Sequence, residues 1–450
     1  MERDLMAKLV EWKSMRPRKP LLLRGARQVG KTWLLKEFGA RHFSKCAYIR
    51  FDKNRELQEV FARENDIGHL LTAIQLAVGF KPTPEDTLII FDEIQESPDA
   101  LTSLKYFCEE KPEYVIAGAG SQLGISDMQG TGFPVGKVSS LYLFPLSFRE
   151  FLAGIGQEAY SDMLMNGDME MICTFRERYT DWLRQYFFIG GMPEVVNDFA
   201  QNGDFSRVRS IQNNLLRNYV DDFGKHSPPE EVRKMEMIWN SIPRQLAKEN
   251  KKFLYNDVQS RVRGKVLLTA MQWLLSAGLV RHTEKVSKPD VPLKSYADGG
   301  FKLFMLDVGL LSAMSNLEAR SLLEGSRVFE EFKRALVEQF VQQELMACFG
   351  WNSFYWSSEK SRNEIDFLIE TAGGVVPMEC KASCNVKAKS LKAYCEKFWP
   401  PVAVRSSLVK YYRQTLSFPQ GKNNHAPLSY ELIDLPLYAI CRLMKEVAAQ

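Results

Sequence analysis

The sequence predicts an α/β protein: a core on a parallel sheet, a helical segment, three short helices with two strands, and a second α/β unit. Three observations predict it. The apolar run Leu21–Leu23 is followed by RGARQVGKT at 24–32 and by the helix-like WLLKEF at 33–38. A second apolar run, Leu88–Phe91 after Thr87, ends in the acids Asp92 and Glu93. Short runs that are apolar throughout read as strands buried on both faces, as in parallel sheets. The third observation lies near the carboxyl end. A long helix pattern from Arg327 to Phe349 precedes the strand NSFYWS and a hairpin over 364–381 that carries Asp366, Glu379 and Lys381.

Residues 24–32 fit G-x-x-x-x-G-K-[ST], the phosphate-binding loop of nucleotide hydrolases, in its strand–loop–helix context. Gly25 and Gly30 let the backbone bend so that the N–H groups of Ala26, Arg27, Gln28, Val29, Lys31, Thr32 and Trp33 can face phosphate oxygens. The following helix N-terminus adds partial positive charge. Lys31 is expected on the β- and γ-phosphates and Thr32 on Mg²⁺. The cofactors expected are therefore ATP and Mg²⁺. The blander alternative is a plain glycine turn.

Bulk properties bound the rest. A chain of 450 residues suggests two to four domains. No run approaches the roughly 18 apolar residues of a membrane helix, so no membrane partner is expected. The charged start MERDLMAKLVEWK lacks the apolar centre of a signal peptide, which leaves the cytoplasm as the expectation. The eight cysteines form no C-x-x-C and only five histidines exist, which argues for reduced thiols and against a zinc site. A net charge of +4 permits a nucleic-acid partner without demanding one.

Taken in order, residues 1–20 read as an amphipathic helix and a proline-bounded approach to the first strand. KCAYIRFD at 45–52 reads as a strand, and 56–80 as a helix or two. At the end of the Thr87–Phe91 strand, Asp92 would hold Mg²⁺ and Glu93 would orient the attacking water. Alternatively, the two acids cap the next helix. The strand Tyr114–Gly120 ends at Ser121 and Gln122, either of which could sense the γ-phosphate.

At this point RGARQVGKT, IIFDEIQ, AGAGSQLG, LYLFPLSFREF (141–151) and FFIGGMPEVV (187–196) stand in a recognisable order. The chain resembles a family of bacterial and archaeal AAA+ ATPases in which a C-terminal region of uncharacterised function follows the ATPase domain. The resemblance covers essentially the whole chain and implies the AAA+ fold and ATP binding. Relatives often carry Gly-Arg just before the LYLFPLSF-like strand. Here Gly136-Lys137 stands there, which puts a trans-acting arginine finger in doubt.

Residues 151–230 read as mostly helical, suited to a small lid, with Gly190-Gly191 and Pro193 marking a turn or hinge. From 230 to about 315, three helices and two strands follow the order of a winged helix-turn-helix. The third helix, KVLLTAMQWLLSA, offers only Lys265, Thr269, Gln272 and Ser276 as a polar stripe, with Arg261 and Arg263 just before it. Phosphate contact there is one reading, with little support for base readout; a purely structural or partner-docking role is the alternative.

In the last 125 residues, Asp366 thirteen residues before Glu379, with Lys381 two further on, resembles the PD-(D/E)xK pattern. Strand alternation puts Glu379 and Lys381 on one face. Asp366 on the neighbouring strand could meet Glu379 around Mg²⁺, with Glu338 on the upstream helix as a further acid and Lys381 placing water. Charged cross-strand pairs on an exposed hairpin explain the same residues without chemistry. The expected divisions are 1–150, P-loop AAA+ core; 151–229, helical lid; 230–320, winged helix; and 325–450, restriction-endonuclease-like domain. Two functions stay open. One is a DNA-associated ATPase with a Mg²⁺-dependent nuclease domain. The other is a nucleotide-controlled switch that binds a protein partner, or assembles as a homo-oligomer, without cutting.

Overall fold

The computed structural model describes residues 1–121, 133–249, 251–260, 264–324, 327–358, 361–382, 388–417 and 429–448. Gln122, Arg261, Arg263 and the stretch QGKNNH fall outside them. Two units form. The first holds Met1–Phe144 and Trp273–Leu279; the second holds Pro145–Gln272 and Val280–Gln450.

Five strands make the sheet of the first unit: β1 (Leu21–Arg24), β2 (Lys45–Arg50), β3 (Thr87–Asp92), β4 (Val115–Ala119) and β5 (Ser139–Tyr142). They lie in the order β2-β3-β4-β1-β5, and every pairing is parallel. Every residue of β1, β3 and β4 is buried, which is why each reads as an unbroken apolar run. β5, at one edge, alternates instead between half-buried and exposed. β4 lies between β1 and β3, so their carboxyl ends emerge on one side of the sheet but one strand apart. Local chemistry starts the flanking helices. Asn54, Asp66 and Ser97 each accept a bond from a first-turn N–H at the helices Arg55–Arg63, Ile67–Val78 and Pro98–Glu110. Leu57, Phe61, Leu70 and Ile74 from two of these pack with Phe51, Ile89, Phe91 and Phe107 in one core.

The second unit contains an eight-stranded sheet: β6 (Val280–Val286), β7 (Ala297–Met305), β8 (Phe354–Ser357), β9 (Glu364–Thr371), β10 (Gly374–Cys380), β11 (Val402–Ser407), β12 (Tyr412–Ser417) and β13 (Ser429–Pro436). Their order is β12-β13-β11-β10-β9-β8-β6-β7. The expected hairpin forms, with Met378 opposite Phe367 across β10 and β9. The two strands expected as a wing also form and pair antiparallel. They are not a free wing, however. β6 also pairs in parallel with β8, so both of its edges are used, and of these two strands β7 alone is at a border of the sheet. The helices expected as a lid (Phe148–Gly154 through Phe205–His226) belong to this same unit.

Several long-range contacts knit it together. Ser147 and Glu150 form a reciprocal capping box at the start of Phe148–Gly154, which accounts for Ser-x-x-Glu within LYLFPLSFREF. Gly190 and Gly191 are a pinned turn. Gly190 has φ +75°, a Cβ there would collide with the Asp307 carboxylate, and one on Gly191 would meet the Leu146 carbonyl. Asp307 is fully buried and accepts bonds from the Gly191 and Leu310 N–H groups.

Glu344, on the helix Arg327–Phe349, is buried and accepts a 2.7 Å bond from the Phe148 N–H. Burial pushes its carboxyl up to about 8, partly opposed by that bond. The folded state therefore holds a proton that the unfolded chain releases at ordinary carboxylate pH. The resulting stabilisation is complete below about pH 4.5 and is lost as the pH rises through about 8. Glu344→Gln keeps an acceptor for Phe148 without a charge to bury. Its thermal midpoint is expected to match the parent at about pH 4.5, to pull ahead as the pH rises, and to exceed it by several degrees in mildly alkaline buffer.

Candidate nucleotide site and a second ionic cluster

The loop after β1 is shaped by its glycines. Gly25 runs close under Leu143, whose carbonyl a Cβ would strike, and Gly30 is left-handed (φ +95°) at the entry to the helix Lys31–His42. Gln28 is also left-handed, at φ 65°. Ala26 and Val29 are buried while Gln28 is exposed, so the loop has a packed side and an open side. Arg3 braces it: its guanidinium donates to the Val29 carbonyl at 3.0 Å and to that of Phe144 at 2.6 Å. Sequence reading missed this arginine, because a lone basic residue near a terminus carries no signal.

Lys31 folds over the loop, donating to the carbonyls of Gly25 (3.1 Å) and Ala26 (2.7 Å). Burial pushes its ammonium down to about 8, while Glu93 and Asp92 pull the other way. Thr32 Oγ1 lies 3.0–3.1 Å from both carboxylate oxygens of Asp92, at the end of β3. A hydroxyl and a carboxylate at that spacing are hard oxygen donors that one Mg²⁺ can share, so these residues fit the ion. Trp33 is 42% exposed beside the loop.

Glu93 sits at φ 50°, ψ 44°, a left-handed conformation uncommon for a residue with a side chain. Gln95, two residues on and nearly buried, holds it. Its amide donates to Glu93 Oε2 at 2.5 Å and accepts from the Ser121 N–H at 3.3 Å. One amide thus ties the end of β3 to the end of β4. Sequence reading quoted this glutamine within IIFDEIQ but gave it no role. Ser121, one of the two sensor candidates, is buried here. Lys137, where relatives would offer arginine, forms an ion pair with Glu109 at 2.9 Å.

Tyr48, on β2, was also missed. Its hydroxyl donates to Asp92 Oδ2 at 2.7 Å, and burial together with that carboxylate pushes the phenol up, so it stays a donor. Groups that orient a metal-binding carboxylate commonly govern metal affinity. Tyr48→Phe is expected to raise the Mg²⁺ needed for half-maximal ATP hydrolysis about tenfold, with little change in rate at saturating Mg²⁺. A Mg²⁺ titration of steady-state turnover checks it.

In the second unit, Glu338, Asp366 and Glu379 are all buried. Each of them is met by the chain's own cations or backbone. Glu338 Oε1 is held by Lys251 at 2.5 Å and Arg334 at 3.2 Å, and Oε2 by Lys302 at 3.2 Å. Asp366 Oδ2 accepts from the Cys380 N–H at 2.8 Å. Lys381 pairs with Glu379 as strand alternation implied, but by closing on it directly. Among the described residues, no group of three or more His, Cys, Asp or Glu side chains is arranged to hold a metal ion. Burial disfavours the Glu338 charge, yet Lys251, Lys302 and Arg334 hold it well below the carboxylate range. Burial and then the Glu338 charge push Asp366 up.

Residues 17–152 match a family model described as an AAA domain. Residues 180–321 and 333–429 match models each described as a domain of unknown function, DUF8612 and DUF4143. No curated protein matches the chain. Among solved structures, it is similar to a Walker-type ATPase of Pyrococcus abyssi, at 15% identity and TM-score 0.43, over 70% of this chain and 95% of that one. It is also similar to Cdc6p from Pyrobaculum aerophilum, at 11% and 0.25, over 71% and 92%. A third is a RuvB variant of Thermotoga maritima, at 15% and 0.28, over 62% and 87%. No helix among the described residues is long and apolar enough to cross a membrane.

Proposed function

From an AAA-type P-loop ATPase domain, we propose that this protein hydrolyses ATP with Mg²⁺ and uses the nucleotide state to control what its C-terminal unit binds. The observation that carries the reading is the convergence of Thr32, Asp92, Glu93, Gln95 and Ser121 at the carboxyl ends of β1, β3 and β4. Lys31 and the N–H groups of the loop bind the phosphates. Thr32 and Asp92 would hold Mg²⁺, which when bound neutralises phosphate charge. Glu93, fixed by Gln95, orients the attacking water and accepts its proton.

The C-terminal unit is read as a binding module with a nuclease-like strand order. The ion pairs that close over Glu338 and Glu379 favour this over cleavage. DNA is the partner proposed, from the mildly basic charge and the helix–helix–helix–strand–strand order of 229–305. The test is steady-state ATP hydrolysis with and without duplex or single-stranded DNA. Turnover is expected to vanish on chelation of Mg²⁺ and to rise when DNA is added. Turnover unmoved by every DNA form would favour a protein partner, and no hydrolysis at all would sink the reading.

A further inference from the structure

The acids of the second unit surround a cation supplied by the chain itself. Three carboxylates face Lys302 Nζ: Glu364 at 2.6 Å, Glu338 at 3.2 Å and Asp366 at 3.9 Å. Lys251 Nζ holds Glu338 from another side at 2.5 Å, and Arg334 reaches Glu338 at 3.2 Å and Asp366 at 3.6 Å. Lys302 and Glu338 are wholly buried, and Lys251 and Asp366 are 2% exposed. Lys302 Nζ also lies 4.9 Å from the centre of the Tyr355 ring.

Charge counting decides what such a place can hold. Glu338, Glu364 and Asp366 are balanced by Lys251, Lys302 and Arg334, and Glu379 by Lys381. A divalent ion would add two uncompensated charges beside the buried Lys302, Glu338 and Asp366. The donors are also spent. Both Glu338 oxygens, one of Asp366 and one of Glu379 are engaged, which leaves Asp366 Oδ1 and Glu379 Oε2 without a hydrogen-bond partner among the described residues. An ion held by those two oxygens, with water in its other positions, would meet two cations already placed there, Lys302 at 3.9 Å and Arg334 at 3.6 Å from Asp366 Oδ1.

We infer that Lys302 is an internal substitute for the divalent cation, so that the nuclease-like acids form a closed ion-pair core and take no metal. This deepens the reading of the C-terminal unit as a module that binds without cutting. It also explains how a PD-(D/E)xK-like set can persist in a protein that does not use it for hydrolysis. The acids serve as counter-charges for Lys251, Lys302 and Arg334. Removing one without its partner would strand a charge.

Manganese titrated into nucleotide-free protein, with free Mn²⁺ read by electron paramagnetic resonance, tests it. The parent and Asp366→Asn are expected to give superimposable curves. Lys302→Ala leaves one carboxylate uncompensated and is expected to gain a single Mn²⁺ site that is lost again when Asp366→Asn is added. A site in the parent that disappears in Asp366→Asn would overturn the inference. So would a Lys302→Ala protein with native circular dichroism and no gained site. If Lys302→Ala does not fold, the parent and Asp366→Asn curves still decide. Failure of ATP hydrolysis would overturn the nucleotide reading and leave these curves unchanged.

Discussion

Glu93→Gln is expected to bind ATP as tightly as the parent and to hydrolyse it about 10²–10⁴-fold more slowly. The substitution keeps the shape of the side chain and removes its ability to accept a proton. Gln95 donates to Glu93 Oε2 and accepts from Ser121, so one oxygen of Glu93 is fixed and the other is left to work. In the variant, Gln95 can still donate to the amide oxygen of residue 93, and the backbone at φ 50° need not move. Binding should therefore survive, because the phosphates are met by Lys31 and the loop. Equilibrium binding of a fluorescent ATP analogue beside single-turnover hydrolysis separates the two effects. Parallel loss of affinity would show that Glu93 holds nucleotide and does not act in the chemical step.

Glu338→Ala is expected to destabilise the protein by about 3–5 kcal/mol, the usual cost of stranding a buried charge. Lys251 is 2% exposed and Glu338 is its ion-pair partner, so its ammonium would have to be neutralised or drawn to water. The sign of the effect discriminates. In a working metal site the clustered acids repel one another, and removing one tends to raise stability, since functional sites are commonly held at a cost. In a closed ion-pair core, removing one lowers it. Urea unfolding of parent and variant gives the sign directly, and an unchanged or raised midpoint would refute the ion-pair account.

The nucleotide site was legible because its signal is local. Strand, glycine loop and helix are consecutive at 21–42, and Asp92 and Glu93 directly follow their strand. The side chains that set its geometry were not legible. Tyr48 reaches Asp92 across 44 positions and Arg3 reaches Val29 across 26, and neither contact leaves a periodicity to read. In the second unit, the hairpin, the long helix and the shared face of Glu379 and Lys381 were readable from alternation and spacing; their direct ion pair was not. The cations that meet these acids were not legible, because they come from 251, 302 and 334. β12 was overlooked because YRQTLS alternates weakly and its polar side chains read as loop. The glycine pair at 190–191 was visible as a turn. Only the structure shows that Asp307 and Leu146 pin it.

The position of β6 bears on how this chain can be cut into pieces. A fragment starting at residue 325, where the sequence suggests a border, would lose β6 and β7 and bare the flank of β8 that Glu284–Val286 now covers. Exposed strand flanks recruit other chains. The same cut would strip Lys251 and Lys302 from Glu338, turning a neutral interior into a repelling one. Two faults would then coincide in a single truncation, one of backbone pairing and one of charge. The shortest C-terminal piece able to stand alone must therefore begin upstream of Lys251, and in a library of nested deletions every piece that begins after that lysine should fail to express in soluble form.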